Sequence, residues 1–488
     1  MSTQFITPLP LEILFLIIGA INNCNDLLSF ALACRLIIPD KLKYFRISGL
    51  VENPSLRKHL LKNLYLCRGI HEFELMDYGV HAQRTRGSFQ KLNHPTYVPV
   101  VSDLSTIIRN MVNLSRVKFS WRGTFFEIFR NFLDALGDSG CRLEEFAIFW
   151  DIPESNWYGN PAPLVAVMKL EDLQIWTKLD RTALQKLSIQ IETCWTWNRN
   201  YVPSSQATWL GDMLSDTPKL THLNLTIQLT SPSINILDYT WPYLENLIIG
   251  DSNIFPATGV SPPPSKFTEF FKRHPKLTTL SLPYFVYSPG TSFYITLECL
   301  PKLESLAYDG LLGEPSSLVL SPASAKRLRH LMMYDDADSL RLPENMDIYK
   351  ELTSLQTLCF TLDQRGVYHY NLDRVLEILA VHATDLQKIH IPMGKDPLTR
   401  RNSTLSVLQW FPKLTHLSGV RTNDINRSNF YLWGHLEYVI YAKDDDMPNF
   451  SRITRKNDHE GEFSRAEVVS GKNPDCDIRT WGNFYNKI

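Results

Sequence analysis

Apolar side chains recur along the chain in a short pattern, separated by three residues and then by two. The segments 184–189, 220–225 and 244–249 show it most clearly, each with leucine first and apolar residues in the fourth and sixth places. The fourth and sixth residues are spaced as on one face of a β-strand, while the first leucine lies where the chain approaches the strand. Each segment therefore predicts a buried strand, with a leucine that also packs into the core where the chain enters the strand.

The same pattern recurs along most of the chain. One copy cannot bury its apolar face alone, whereas stacked copies bury a continuous core, so a series indicates a solenoid. Two weaker copies begin the series, at Leu42-Phe45-Ile47 and Ile70-Phe73-Leu75. The stronger copies are Leu114-Val117-Phe119, Leu143-Phe146-Ile148, Leu184-Leu187-Ile189, Leu220-Leu223-Leu225, Leu244-Leu247-Ile249, Leu277-Leu280-Leu282, Leu303-Leu306-Tyr308, Leu328-Leu331-Met333, Leu355-Leu358-Phe360, Leu386-Ile389-Ile391, Leu414-Leu417-Gly419 and Leu436-Val439-Tyr441.

The distance between successive first leucines indicates the type of repeat. From Leu114 to Leu436 these steps run from 22 to 41 residues. Steps near the lower end match a strand, a helix and two turns, as in leucine-rich repeats, so the longer steps contain inserted loops. We therefore predict an α/β solenoid over residues 48–443, curved, with parallel strands on its concave face and helices on its convex face. The periodicity stops at residue 444, and the segment 444–488, including 476–481, is predicted to cap the last repeat.

Helices are predicted between the strands from capping residues, apolar spacing and the glycine or proline that follows. Four helix exits share the sequence Pro-Lys-Leu, beginning at Pro218, Pro275, Pro301 and Pro412, where proline blocks the helix and turns the chain toward the strand. Gly137 is predicted to end the helix that spans 125–136. The predicted helices span 54–63, 102–111, 125–136, 205–215, 264–273, 321–327, 371–382 and 402–410.

Composition narrows the class of protein. The 488 residues carry a formal net charge of -1, which gives no general attraction to nucleic acid or to an anionic membrane. The eight cysteines are scattered, without a CxxC pair or a histidine at zinc-finger spacing, so free thiols in a reducing compartment are expected. The apolar run 9–21 contains Glu12, follows no Lys or Arg and is too short to span a bilayer, so a cytoplasmic or nuclear protein is expected.

Motifs for catalysis are absent from the sequence. It has no phosphate loop ending in GKS or GKT, no dinucleotide fingerprint after a strand and no HExxH, so we expect no enzyme, cofactor or metal site. The stretch Gly137-Asp138-Ser139-Gly140 spells the nucleophile signature of trypsin-like proteases. It lies between a predicted helix and a strand, however, without the His and Asp segments that such catalysis needs, so a turn is predicted there.

The first 47 residues predict three short helices. The opening one is apolar on nearly every face, and Pro10 suits its first turn. Asn25 or Asp26 caps a second helix that ends at Cys34, and a third short helix follows. Three short helices build little core, so a partner is expected to cover the excess apolar surface.

This segment, residues 7–47, resembles an F-box. The resemblance rests on Leu9-Pro10-x-Glu12-Ile13-Leu14, in which x is a variable position, then on Asp26-Leu27-Leu28-Ser29 and on Ala31-Leu32-Ala33-Cys34-Arg35. The tryptophan that usually follows Cys-Arg is replaced by Leu36 and Ile37. Together with the repeats, the segment resembles the leucine-rich-repeat class of F-box proteins, which is more specific than either half alone.

The resemblance implies partners rather than a reaction. It implies that the F-box domain, residues 1–47, binds a Skp-type adaptor and, through it, a cullin ligase. The implied adaptor-binding residues are Leu9, Pro10, Glu12, Ile13, Leu14, Ile17, Leu28, Leu32, Cys34 and Arg35. The alternative for any one of them is that it fills the small helical core.

Two functions follow from this combination. The first is a substrate-recognition subunit of an SCF-type ubiquitin ligase, whose repeats bind a protein for ubiquitination while an E2 supplies the chemistry. The second is an interaction scaffold that binds the adaptor without delivering a substrate. Substrate capture that depends on the repeats would distinguish the first function from the second.

Strand alternation predicts which polar residues are displayed for a substrate. Residues that lie between two buried strand positions point away from the core. The residues expected on the concave face are His222, Asn224, Thr279, Ser281, His330, Lys388, His390 and His416.

Two further groups lie in or near the inserted loops. Trp157, Trp195 and Trp197 either pack back on the solenoid or supply binding hot spots. Aspartates follow several strands and either form turns or make an acidic line that favours a basic substrate segment. These aspartates are Asp151, Asp251, Asp309, Asp335 and Asp363. The candidate substrate-binding set is Trp157, Trp195, Trp197, His222, Asp309, His330, Asp335 and His390.

Overall fold

The computed structural model describes most of the repeat strands and the helices beside them. The described residues are 46–48, 53–76, 98–122, 126–152, 180–193, 211, 214–226, 235–250, 264–282, 293–309, 318–335, 346–362, 371–390, 407–421, 435–442, 449–457 and 463–470. The chain divides into two compact units, Met1–Leu220 and Thr221–Ile488.

The first unit alternates parallel strands with helices. Its sheet follows chain order, with neighbouring strands β1 (Arg46–Ser48), β2 (Glu72–Met76), β3 (Arg116–Arg122), β4 (Glu145–Ile152) and β5 (Lys186–Thr193). Its helices are α1 (Pro54–Lys62), α2 (Leu64–Cys67), α3 (Val98–Arg109) and α4 (Phe126–Asp138). Parallel strands need a crossover between them, and the helices lie in these crossovers.

From β2 to β5 the strands of the first unit pair in the register that the leucine pattern predicts, whereas Ile47 of β1, predicted as the sixth residue of its copy, pairs with Phe73, the fourth residue of the next. Phe73 pairs with Val117, Val117 with Phe146, and Phe146 with Leu187, so the fourth residue of each copy faces the fourth of the next. All four side chains are buried. The ring of Phe119 packs edge to face against those of Phe73 and Phe146, with centroids 6.3 and 6.2 Å apart.

Hydrogen-bonded turns lead into most of the described repeat strands, as at β3. The amide of Leu114 donates to the Met111 carbonyl at 3.1 Å, and the next two amides, of Ser115 and Arg116, both donate to the His71 carbonyl of the preceding repeat. The same arrangement recurs in later repeats of both units. The first leucine of each copy therefore lies on the turn that starts the strand ladder, which explains why it is buried.

The exit of α4 corrects one sequence prediction. The helix runs through Gly137 to Asp138 rather than ending at Gly137, because the residue that turns the chain is Gly140, with a left-handed φ of 66°. The hydroxyl of Ser139 donates to the Leu136 carbonyl at 2.6 Å and accepts from the Cys141 amide at 3.3 Å. The protease-like tetrapeptide is thus a helix-to-strand turn, as predicted.

The second unit has the same plan. Its parallel sheet contains β6 (His222–Thr226), β7 (Asn246–Ile249), β8 (Thr279–Leu282), β10 (Ser305–Asp309), β12 (His330–Asp335), β13 (Thr357–Leu362), β14 (Lys388–His390), β15 (His416–Arg421) and β16 (Tyr438–Ala442). A separate parallel pair is formed by β9 (Phe293–Ile295) and β11 (Leu318–Leu320). Its helices are α5 (Pro264–Arg273), α6 (Pro322–Ala325), α7 (Asp347–Lys350) and α8 (Asn371–His382).

Every parallel pair of this sheet aligns the fourth residues of its two copies, although the pairing of β15 with β16 shifts by one residue after Ser418. The fourth residues of the copies are paired in one continuous row: Leu223, Leu247, Leu280, Leu306, Leu331, Leu358, Ile389, Leu417 and Val439. In the repeat from Leu220 to Leu244, the described residues before the next strand contain a 3-10 turn, Ile236–Asp238. The predicted α/β solenoid is confirmed in both units.

The last described strands change direction. β17 (Asn449–Asn457) pairs antiparallel with β16, and β18 (Phe463–Ser470) pairs antiparallel with β17. An unpaired edge strand exposes backbone groups to other chains, and β17 covers this edge of β16. The hairpin lies within the segment 444–488 that was predicted as a cap, whereas residues 476–481 lie outside the described residues.

The cysteines of the described residues are free and buried. Cys67, Cys141, Cys299 and Cys359 form no disulfide, as predicted for these four. Burial raises the pKa of the Cys67 thiol to about 11 and also raises the pKa of Cys141. Thiols with raised pKa values carry little thiolate at pH 7, so these two are structural residues.

Candidate binding surface

Each repeat strand carries two positions on the side opposite the leucine core. Counting the first leucine of a copy as position 0, positions 3 and 5 are buried in the core, and positions 2 and 4 lie on the other face of the sheet. We call the aligned residues at position 2 the first outer row and those at position 4 the second outer row. Because register holds from strand to strand, each row crosses the sheet of its unit.

The first outer row of the first unit alternates in charge from strand to strand. It consists of Arg46, Glu72, Arg116, Glu145 and Lys186, paired one to the next in the sheet. Arg116 Nη1 lies 2.7 Å from Glu72 Oε1. The second outer row adds Glu74 and Lys118, which complete ion pairs with Arg46 at 3.3 Å and with Glu145 at 3.1 Å.

This alternation was not among the sequence predictions, although the sequence contains it. Once the leucine register is known, the residue two places after each first apolar residue can be read off directly. Doing so at the four copies that begin with Ile70, Leu114, Leu143 and Leu184 gives an alternation of anion, cation, anion, cation. In the first copy the same count gives Tyr44, so Arg46 belongs to the row only through its observed pairing with Glu72. The signal was missed because the pattern search followed apolar positions alone.

The first outer row of the second unit is uncharged except at Lys388. In strand order it is His222, Asn246, Thr279, Ser305, His330, Thr357, Lys388 and His416. These side chains are half-buried. The Nδ1 atoms of His222 and His416 each lie 2.8 Å from the hydroxyl of the threonine before them.

The second outer row of the second unit is largely buried, which corrects part of the predicted display. Asn224 and Ser281, expected at the surface, are buried, and so is Ser418. The reason is that several of their neighbours in the row are apolar: Ala307, Met332 and Cys359 form a buried cluster on this face. Alternation therefore assigned the correct face to Asn224 and Ser281 but did not determine their exposure.

His390 occupies the same row and is largely buried beside a hydroxyl group. Its Nδ1 atom lies 2.6 Å from Ser418 Oγ on the neighbouring strand. Burial lowers the pKa of His390 to about 4. The side chain is therefore neutral at pH 7 and can take part in recognition only as a hydrogen-bonding group.

His416 and His330 on this face are neutral for the same reason. Burial, assisted by the charge of Lys388, lowers the pKa of His416 to about 4. Burial also lowers the pKa of His330, with Glu304 opposing the shift and Lys388 adding to it. These positions thus offer hydrogen bonds without charge, and the ammonium of Lys388 is the cation among them.

The described aspartates of the predicted acidic line lie at strand positions that are not aligned with one another. Asp309 ends β10 and Asp335 ends β12, but Asp309 pairs with Tyr334, so the two aspartates are offset by one residue. Asp151 lies within β4, paired with Glu192 of β5. Asp251 and Asp363 lie outside the described residues, as do Trp157, Trp195 and Trp197.

All ten predicted adaptor-binding residues also lie outside the described residues, since the first described residue is Arg46. Their assignment therefore stays a prediction from sequence. Within the described ranges, no three His, Cys, Asp or Glu side chains come together in a way that could hold a metal ion. Helices long and apolar enough to cross a membrane are likewise absent from the described part of the chain.

Comparisons with known proteins add little to this picture. No protein-family model matches the chain, and no curated protein matches it. Among solved structures, a chain of the Rad7 and Elc1 complex in yeast is similar at 12% identity over 85% of this chain and 88% of that one, with a TM-score of 0.33. The leucine-rich-repeat-containing protein LegL7 from Legionella pneumophila is similar at 12% identity over 80% and 95%, with a TM-score of 0.24. Likenesses this loose carry no argument, so the solenoid assignment rests on the register of its strands.

Proposed function

We propose that the chain is the substrate-recognition subunit of an SCF-type ubiquitin ligase. The segment 7–47 would bind a Skp-type adaptor and, through it, a cullin, while the repeats hold a protein substrate in the cytoplasm or nucleus. Chemistry comes from an E2 on the same assembly. Holding a substrate lysine close to the E2 raises the effective concentration of the two reactants, so this chain needs no catalytic group of its own.

The observation that carries the proposal is the shared leucine register of the repeat strands from β2 to β5 and from β6 to β16, in which the fourth residues of the copies pair from strand to strand. Leucines align from strand to strand, and the outer rows therefore form a surface that is continuous over several strands of each sheet. Long sheets of this kind are typical protein-binding surfaces of solenoids. Joined to a segment that resembles an F-box, such a surface fits a subunit that connects a substrate to an adaptor.

The adaptor half of the proposal is tested by changing the F-box-like segment. We expect the double variant Pro10→Ala with Ile13→Ala to bind a purified Skp-type adaptor about 30-fold more weakly, because truncating a buried apolar anchor costs about 2 kcal/mol. The affinity would be measured by isothermal titration with the full chain. Circular dichroism and the unfolding midpoint should match those of the unchanged chain, since the repeats are untouched.

A matched control uses neighbouring positions of the same residue types. Pro8 precedes the F-box-like pattern and Leu11 is its variable position. The double variant Pro8→Ala with Leu11→Ala removes comparable apolar volume and should bind the adaptor with affinity close to that of the unchanged chain. Equal binding by both double variants would show that the segment does not dock as an F-box.

A further inference from the structure

The two outer rows of the first unit differ from an ordinary set of surface ion pairs in how their charges are exposed. The side chains of Arg46, Arg116 and Lys118 are 48, 50 and 54% exposed, whereas their partners Glu74, Glu72 and Glu145 are 16, 20 and 19% exposed. The carboxylates thus lie beneath the cations. A molecule that approaches this face meets guanidinium and ammonium groups first.

The charge of these two rows is also unbalanced. Lys186, on β5, is exposed and has no ion-pair partner among the described residues. The two rows therefore carry four cations and three carboxylates, and the carboxylates are the less exposed. From these observations we infer that the first-unit strand face is a docking surface for an acidic segment of a partner protein.

The spacing of the cations also indicates the conformation and the sequence pattern of the acidic segment that would bind. Neighbouring strands lie about 4.8 Å apart, so Arg46, Arg116 and Lys186, on every second strand, are separated by about 9.6 Å. In a polyproline II conformation, three residues advance the chain by about 9.3 Å and bring side chains back to one face. A segment with carboxylates at every third residue therefore matches the cation spacing, crossing the strands with a neutral residue above each glutamate.

Nucleic acid fits this face less well than an acidic peptide. A nucleic acid carries one phosphate per nucleotide and gains affinity from each phosphate that meets a cation. Along the first outer row every second position is a glutamate, which would repel the intervening phosphates. A peptide avoids this repulsion because its residues between the acidic ones can be uncharged.

This inference rests on the protein-binding role proposed for the repeats, and it does not depend on the adaptor. Its test uses the full chain and a synthetic twelve-residue peptide with glutamate at every third position, separated by proline and serine. We expect Arg116→Gln with Lys118→Gln to weaken binding about tenfold, and Glu72→Gln with Glu145→Gln to tighten it about threefold, because the first removes attraction and the second removes repulsion. Fluorescence anisotropy at low and physiological salt would measure both affinities.

The control removes the same net charge from the helix side of the same unit. Lys58→Gln with Lys62→Gln, on α1, changes two exposed lysines and should leave the affinity for the peptide unchanged. The inference is overturned if the α1 variant weakens binding as much as the strand-face variant, or if the peptide does not bind. It is also overturned if a single-stranded oligonucleotide of equal charge binds more tightly than the peptide. Adaptor affinity measured on the same variants separates these failures from failure of the proposed function.

Discussion

Replacing Leu331 with alanine is expected to lower the free energy of unfolding by about 2 to 5 kcal/mol, the usual cost of truncating a fully buried leucine. Leu331 is the fourth residue of its copy, is fully buried and pairs with Leu306 on one side and Leu358 on the other. A cavity at this point weakens two repeat interfaces together. Urea unfolding followed by circular dichroism would measure the change in midpoint.

Val381 provides the control for this substitution. It is also a branched apolar residue, but it lies on α8 with 69% of its surface exposed. Val381→Ala removes two methyl groups from the solvent side and should change the free energy of unfolding by about 0.5 kcal/mol or less. If the two variants unfold at the same urea concentration, Leu331 is not a core residue and the repeat register is wrong.

His274→Leu is expected to cost about 2 to 6 kcal/mol of stability, because it leaves two buried backbone groups without partners. His274 is fully buried; its Nε2 atom accepts the Trp241 amide at 3.0 Å, and its Nδ1 atom donates to the Phe270 carbonyl at 2.7 Å. The carbonyl only accepts and the amide only donates, so these bonds fix one neutral tautomer. Leu300 occupies the equivalent position before Pro301, so leucine itself fits there.

The cost of His274→Leu should depend on pH. Burial, and to a lesser degree the charge of Arg273, lowers the pKa of His274 to about 4, against about 6.5 in an unfolded chain. The unfolded chain therefore takes up a proton first as the pH falls, and the stability that neutral His274 provides above pH 6.5 is lost between about 6.5 and 4. The destabilisation caused by His274→Leu should shrink by about 3 kcal/mol from pH 7 to pH 4.

Comparing chain and variant at each pH isolates His274 from other titrating groups. His390 and His416 also have lowered pKa values, and their effects are common to both proteins. If the penalty of His274→Leu is the same at pH 7 and pH 4, the histidine is not held neutral by its two backbone partners.

The core of the fold could be predicted from sequence because it depends on spacing alone. Leucines at fixed offsets determine which residues face the core, and parallel pairing then aligns Leu280 with Leu306 and Leu306 with Leu331. Helices whose ends are marked by capping residues, glycine or proline could also be predicted from sequence: α5 and α8 have the predicted bounds. In these cases local propensity and global packing favour the same structure.

The predicted helix boundaries are wrong where two local sequence signals conflict. α3 begins at Val98, four residues before the predicted start at Ser102, because Pro99 is accommodated in its first turn. Gly137 was predicted as a helix end, yet helical hydrogen bonding continues past it to the left-handed Gly140. A glycine or proline marks a boundary region, but the residue that ends the helix depends on the packing around it.

The face of the sheet on which each candidate residue lies could be predicted from sequence, but the exposure of its side chain could not. Alternation correctly separates Asn224 from Leu223 and Leu225, yet Asn224 is buried because exposure depends on neighbours from other strands. Met332 and Cys359 in the same row were the available signal, since apolar residues on an outward position indicate cover. The role of His274 was missed because the Pro-Lys-Leu exits were compared, but the buried residue before each proline was not.

The most direct test of the account asks whether a partner held by the repeats becomes ubiquitinated through the F-box-like segment. Cells with the proteasome blocked would express the chain, the Pro10→Ala with Ile13→Ala variant, or the Pro8→Ala with Leu11→Ala control, and captured partners would be probed for ubiquitin. We expect the same partners in all three captures, carrying ubiquitin with the chain and the control but not with the variant. Partners that lack ubiquitin in all three captures, while the adaptor is bound by the unchanged chain, would contradict a substrate-recognition subunit and favour a scaffold.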